Sequence, residues 1–275
     1  MTQPFTLIAI AFGVVLAIVL GVVLVLTQGG ESDDAVTALD QAAADLPADL
    51  TDGLKLGRDD APLKLTQYED YQCPFCLRYT ANQEPFIVEE YVKTGKVQIT
   101  FGHFAALGRE STWAANAASC AADQNMFWQY SNALFGEQAR EGQLDDERLN
   151  VGRFDLEDLK AFGSQIGLPD QATFEACVDD LEHEQEVVDS QSRARSLGIT
   201  GTPGFLINGA PFPQAGALGS VDEWRSFLDS ALEQLAEPTA APEGETPTSE
   251  APAETTTPEP AATATTPEPA ATATP

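Results

Sequence analysis

Four residues, Cys73-Pro74-Phe75-Cys76, constrain this chain more than any other stretch, because they set two thiols one helical turn apart where an apolar strand ends. Leu63 to Tyr68 alternates apolar and polar residues as a strand does, and Pro74 to about Lys93 is long enough for several helical turns. The order predicts Cys73 at the helix N-cap and Pro74 at the first helical position, where a fixed φ fits and a missing N–H costs nothing. Cys73 then faces unpaired N–H groups and the positive end of the helix dipole, which favour the thiolate. The thiolate is the nucleophile of thiol–disulfide exchange, so Cys73 is expected to attack and Cys76 to resolve. A static disulfide and half of a zinc site are the competing readings. Zinc lacks further ligands, since no second Cys-x-x-Cys occurs and the two histidines, His103 and His183, stand alone in sequence. No metal or cofactor is called for, and the strand-to-helix setting argues against a static bridge.

A chain of 275 residues with a formal net charge of −29 fits one domain of ordinary size plus appendages. That charge repels phosphate backbones and no Lys/Arg cluster offsets it locally, which argues against a nucleic-acid partner. Residues 5–26 carry no charge and as a helix span about 30 Å, so residues 1–28 are expected to anchor the chain in a membrane. A cleaved signal peptide is the rival, but the apolar run is too long and the cationic leader is missing; Thr27-Gln28-Gly29 is only a weak cleavage site. No Lys or Arg precedes Lys55, leaving the positive-inside rule nothing to count. The short N-terminal segment and the thiol chemistry place the bulk outside the cytoplasm, at the cell membrane with a single pass. Residues 29–53 are small and acidic and are expected to form a linker lifting the domain off the bilayer, with at most a fragile helix near Asp34 to Ala44. Residues 236–275 hold only Pro, Ala, Thr, Glu, Ser and Gly, and one nine-residue run starts at both Thr257 and Thr266. This is the composition of a disordered, PPII-prone stalk open to O-linked sugars.

The globular part is expected over residues 54–235. After Gly95, Lys96 to Phe104 alternates as a second strand, which makes a β-α-β unit with parallel strands and puts the Cys73 turn at the strand's C-terminal edge. His103, at the end of that strand, either approaches the thiols or, the favoured reading, is a hydrogen-bonded structural residue. From about 108 to 198 the periodicity turns helical, with Trp113, Phe127, Trp128, Phe135, Phe154 and Phe162 as core aromatics rather than a cofactor box. Cys120 and Cys177 fall on apolar faces there and fit either a disulfide, worth roughly 4 kcal/mol from loop closure, or two separate buried thiols. Thr202-Pro203-Gly204 precedes a short apolar strand and an Asn208-Gly209 turn. Pro203 is either cis, turning the Thr202 backbone outward, or a trans proline opening the strand. Val221 to Leu235 reads as a closing amphipathic helix capped by Ser220.

Ala61-Pro62-Leu63, Tyr68 to Cys76, Ser119-Cys120-Ala121 with Phe127-Trp128, and Gly198 to Pro203 occur in an order that resembles the DsbA-like branch of the thioredoxin superfamily over residues 54–235. The resemblance implies an α/β thioredoxin-like fold with an inserted helical subdomain. It further implies that Pro203 is a cis-proline packed on a redox-active Cys73–Cys76 pair, that Thr202 offers backbone hydrogen bonds to substrate, and that Cys120–Cys177 is a structural disulfide. The implied partners are client proteins with thiols or disulfides, and for disulfide donation a membrane partner of the DsbB or vitamin-K-epoxide-reductase type. The chain departs from the family twice. Phe75 stands where oxidising members often carry His, which leaves the reduction potential open, and Gln67 stands where a buried carboxylate is usual, so Cys76 would need another acid such as Glu69 or Asp70. The reading from a different class is a non-enzymatic adaptor that binds extended peptides beside Thr202 and Pro203.

Overall fold

The computed structural model describes residues 32–144, 148–212 and 218–236. The expected membrane span at 5–26 and the expected tail from residue 237 onward lie outside them, and among the described residues no helix is long and apolar enough to cross a membrane.

Strands β1 (Thr51–Asp52), β2 (Lys55–Leu56), β3 (Leu63–Glu69), β4 (Val97–His103), β5 (Gly204–Ile207) and β6 (Ala210–Pro211) form one sheet of order β1-β2-β4-β3-β5-β6. The two seven-residue strands are parallel, Leu63 opposite Val97 through Glu69 opposite His103, as the β-α-β reading requires. The others join antiparallel: β5 lies against β3, with Tyr68 opposite Gly204, and β2 against β4. Tyr68 also lies opposite Gly102, where a Cβ atom would fall 2.4 Å from the tyrosine ring, so only glycine fits.

The crossover from β3 to β4 is broken rather than one continuous helix. Helix α2 (Pro74–Asn82) stops at Gln83, because Pro85 has no N–H to offer the preceding turn. A short α3 (Glu84–Ile87) and a π-turn (Val88–Val92) complete it. The helical insertion consists of α4 (Arg109–Ala122), α5 (Phe127–Arg140), α6 (Leu156–Ile166), α7 (Gln171–Asp180) and α8 (Glu184–Ser196), and α9 (Val221–Ala236) closes the fold. Ser220 caps α9 reciprocally: its hydroxyl accepts the Glu223 N–H at 3.3 Å while the Glu223 carboxylate accepts the Ser220 N–H at 3.1 Å.

The insertion shares its core with the sheet. Tyr71 stacks on Phe101 of β4 and meets Phe135 of α5, with ring centroids 5.8 and 5.0 Å apart, and Phe127 meets Phe101 at 4.9 Å. The opposite face of the sheet carries a smaller cluster of Tyr68, Phe104, Ala194, Ile199 and Leu206. Cys120 of α4 and Cys177 of α7 are joined by a disulfide, Cα atoms 5.9 Å apart.

Residues 32–53, the described part of the expected acidic linker, do not form a solvated spacer throughout. Helix α1 covers 32–44, and its Ala35 and Leu39 are buried in the main core. Asp40 pairs with Arg140 of α5 at 3.5 Å, both partly exposed. The reason is a stripe of Ala35, Val36 and Leu39 at helical spacing, short but sufficient to cover a face of the domain.

Candidate active site

Cys73 is the N-cap of α2 in extended conformation (φ −85°, ψ 118°) and Pro74 opens the helix. Both active-site cysteines are thiols here, Cys76 fully buried and Cys73 nearly so. The environment splits their acidity. A hydrogen bond from Cys76, aided by the Thr202 hydroxyl and the N–H groups of Cys76 and Phe75, lowers Cys73 to about 7 against the cost of its burial. Burial raises Cys76 well above an ordinary thiol, and donating to Cys73 adds to the shift. As a thiol, Cys73 reaches the Thr202 carbonyl at 3.4 Å. The Thr202–Pro203 peptide bond is cis.

A groove of about 390 Å³ opens beside the thiols, with Phe75, Arg78, Thr202, Pro203, Phe205 and Leu218 among its walls. Phe75 is 59% exposed, an unusual position for so large an apolar ring. The Arg78 guanidinium lies 5.5 Å from that ring and donates to the Leu144 carbonyl at 3.0 Å, which steadies the groove's polar edge.

The residues before Cys73 fix the turn. Asp70 accepts the Gln72 N–H (2.9 Å), the Ser111 hydroxyl (2.6 Å) and the N–H groups of Ala106 (2.9 Å) and Leu107 (3.0 Å). Gln72 in turn accepts the Asn150 N–H at 2.7 Å and donates to Ser111 at 2.9 Å, while its carbonyl accepts Gln143 at 2.9 Å. The active-site turn is thereby fastened to α4 and to the loop between α5 and α6. Asp70 faces inward, yet its oxygens are spent on this network.

Glu69 is different. It is buried, accepts the Thr80 hydroxyl at 3.0 Å, and leaves Oε1 without a partner. Gln67 is buried too; it accepts the Tyr79 hydroxyl at 3.0 Å and donates to Glu84, the first residue of α3. Burial raises both carboxyls above their usual range, and the charge of Glu84 raises Glu69 further. Glu84 carries no sequence signal linking it to Cys73; the alternation of β3, which puts Gln67 and Glu69 on one face, was the available clue to Glu69.

His103 donates to or accepts from Ser119 Oγ at 3.0 Å, and burial drops its pKa to about 3, so it stays neutral as a structural residue. His183, solitary in sequence, lies between Asp123 and Glu186 at 2.8 Å each. Its ring lies within 4.8 Å of the Cys120 and Cys177 sulfurs, but these are bonded to each other, leaving one nitrogen ligand where a zinc site needs four.

A thioredoxin family model matches residues 50–230. The chain belongs to the thioredoxin family. Beyond that family, the chain is similar to DsbA-like thiol–disulfide oxidoreductases. The probable disulfide bond formation protein D of Bacillus anthracis is 28% identical over 159 residues, 56% of this chain and 69% of the relative. Oxidised BdbD from Bacillus subtilis superposes with a TM-score of 0.56 at 22% identity, covering 66% of this chain and 93% of that one. Wolbachia pipientis alpha-DsbA1 gives 0.53 at 24% identity, covering 70% and 96%. The two structural likenesses show the fold, helical insertion included.

Proposed function

We propose that the protein exchanges disulfides with client proteins through Cys73 and Cys76, outside the cytoplasm and held at the cell membrane by residues 5–26. A Cys73 thiolate attacks a client disulfide, or a client thiolate attacks the Cys73–Cys76 bond; both routes pass through a mixed disulfide on Cys73, which Cys76 resolves when the client is reduced and a second client thiol resolves when the client is oxidised. The observation that carries this reading is the split in acidity between two thiols one turn apart, Cys73 at about 7 and Cys76 far higher, at the edge of an apolar groove. An attacking thiol whose pKa lies near ambient pH balances thiolate fraction against nucleophilicity. Strong oxidants of this fold need a far more acidic thiol, roughly 3.5, so Cys73 suits attack on client disulfides as well as disulfide donation. Without a His at position 75 the thiolate loses one stabilising donor, in keeping with that value.

Clients lie along the groove as extended segments, an apolar side chain against Phe75 and Pro203 and main chain against Thr202. Cys120–Cys177 is structural and persists because the compartment is oxidising. Disulfide donation requires reoxidation of the Cys73–Cys76 pair, by a quinone-linked membrane protein of the DsbB or vitamin-K-epoxide-reductase type on the family's pattern. The thioredoxin-like domain occupies 54–235 with α1 packed against it as part of the same folded body, the anchor lies ahead of α1, and the Pro/Ala/Thr/Glu-rich tail follows. Insulin reduction and peptide oxidation by the full-length chain, with Cys73→Ser as control, test the reading: turnover that survives the substitution ends it.

A further inference from the structure

Outside the exchange site, the bond between α4 and α7 lies against further metal-ligating side chains. A ring nitrogen of His183, at the start of α8, and the Cys120 and Cys177 sulfurs all lie within 4.8 Å of one another. Among the described residues no other group of three such ligands comes together. Carboxylates occupy both ring nitrogens, Asp123 at Nε2 and Glu186 at Nδ1, at 2.8 Å each. Cys120-x2-Asp123 and Cys177-x5-His183 are short spacings of the kind that deliver two ligands to one ion. Asn116 ties the group together: buried one turn before Cys120, it accepts the His183 N–H at 2.8 Å and donates toward Cys120 Sγ at 3.8 Å. A thiolate takes such a donor more strongly than a neutral sulfur does. The sulfurs are buried, whereas the His183 side chain is 17% exposed and that of Asp123 56%, so the group opens to solvent on one side. Two thiolates, an imidazole and a carboxylate make a soft tetrahedral donor set that suits zinc, not calcium or magnesium with their shells of oxygen. Around zinc such ligand atoms stand about 3.6–3.8 Å apart. The sulfurs, 2.01 Å apart when bonded, reach that spacing by side-chain rotation once the bond is open, and the His183 nitrogen moves in by at most about 1.2 Å.

We propose that Cys120, Cys177, His183 and Asp123 bind one zinc ion whenever the two sulfurs are thiols, so that a metal and a disulfide are alternative fasteners of the same helix junction. Binding releases the two thiol protons to solvent, and the ion's double charge neutralises two thiolates that this buried place would not hold bare. Zinc takes His183 Nε2 with Asp123 as the fourth donor. Glu186 keeps Nδ1 and orients the ring, the outer partner that a metal-bound imidazole usually has. Passage from the zinc form to the disulfide is a two-electron oxidation by a disulfide of a second molecule: the Cys120 and Cys177 sulfurs bond to each other, the attacked disulfide takes two electrons and two protons and leaves as two thiols, and zinc departs. A chain is made with thiols. Before that oxidation, zinc would hold α4, α7 and α8 together and shield both sulfurs from wrong partners.

The test uses the full-length Cys73→Ser/Cys76→Ser chain, in which Cys120 and Cys177 are the two remaining cysteines, so its outcome is independent of the exchange reading. A phosphine reduces the bond, taking oxygen from water and leaving two thiols, and zinc is then titrated anaerobically against a chromogenic chelator. The reduced chain is expected to bind one zinc ion and the oxidised chain none. Glu186→Gln weakens binding roughly 10–100-fold, the usual cost of losing an outer partner, and His183→Ala and Asp123→Ala weaken it at least as much. Cobalt in place of zinc shows thiolate charge-transfer bands and tetrahedral d–d absorption, and one equivalent of zinc raises the melting temperature of the reduced chain but not of the oxidised one. Absence of stoichiometric binding by the reduced chain, unchanged affinity in His183→Ala, or an octahedral cobalt spectrum overturns the proposal. If His183→Ala does not fold, unchanged affinity in Asp123→Ala, at an exposed side chain, overturns it instead. If the reduced chain is unfolded, the readout is recovery of its helical circular dichroism with one equivalent of zinc, and no recovery overturns it.

Discussion

Reducing the Cys120–Cys177 bond alone is expected to lower the melting temperature by about 8–16 °C. The bond closes a separation of 57 residues between α4 and α7. In the chain-entropy model a loop of that size removes about 14 cal/mol/K from the unfolded ensemble, or about 4 kcal/mol at 25 °C. A domain of this length loses about 2–4 °C per kcal/mol, which gives the stated range. The measurement uses a full-length Cys73→Ser/Cys76→Ser chain, so that added reductant reaches no other bond, and follows thermal unfolding by circular dichroism with and without reductant. Reduction removes no side-chain heavy atom, so the comparison separates loop closure from side-chain loss. Cys120→Ala/Cys177→Ala should fall slightly further, because it also removes buried sulfur. A fall of less than about 3 °C on verified reduction would refute the loop-closure reasoning and assign the bond a different role.

The rate of Cys73 alkylation in the reduced chain should rise with pH around a midpoint of about 7, and Cys76→Ala should move that midpoint toward the ordinary thiol value because the leading donor to the thiolate is gone; a midpoint that stays put in Cys76→Ala contradicts this assignment. His103 binds its proton only near pH 3 when folded, whereas in the unfolded chain it does so near 6.5, so acidification favours unfolding. Its share amounts to about 1.4 kcal/mol per pH unit between those values, and because Glu69, Asp70 and Glu84 act in the opposite sense it is read as the difference in slope between wild type and His103→Gln; equal slopes would remove His103 from the account. Asp70→Ala strands the Gln72 and Leu107 N–H groups and the Ser111 hydroxyl, while the Ala106 N–H keeps the Phe104 carbonyl, so denaturant unfolding should show a loss of about 3 kcal/mol or more, and a loss under 1 kcal/mol would mean that water replaces the carboxylate at little cost.

What could be read from the sequence was what depends on near neighbours. The Cys73 turn, the parallel pair it joins, the helical insertion and the capped last helix all follow from spacing within a dozen residues or so. The break at Gln83 was also local, since Pro85 stands in plain view, yet the length of the helical pattern outweighed it. A helix near Asp34 to Ala44 was legible, but its docking escaped because its composition resembles a linker; only the spacing of Ala35, Val36 and Leu39 marks an apolar face, and nothing in the chain names the surface they cover. Asp70 and Glu69 could not be told apart as candidate acids, because both are buried and only the fold shows that four donors converge on one while an oxygen of the other stays open. Glu84 reaches Gln67 across the sheet-to-helix packing, a meeting no linear pattern announces.

The docking of α1 also bears on reach. With the domain beginning at the first turn of that helix rather than after it, about five residues would separate the proposed membrane span from the folded body, a tether of no more than about 18 Å. Were residues 5–26 to span the bilayer as proposed, so short a leash would hold the domain close to the lipid. It would then favour chains still emerging from the bilayer over proteins already free in the space beyond, and would keep the domain within touch of a membrane-embedded oxidant.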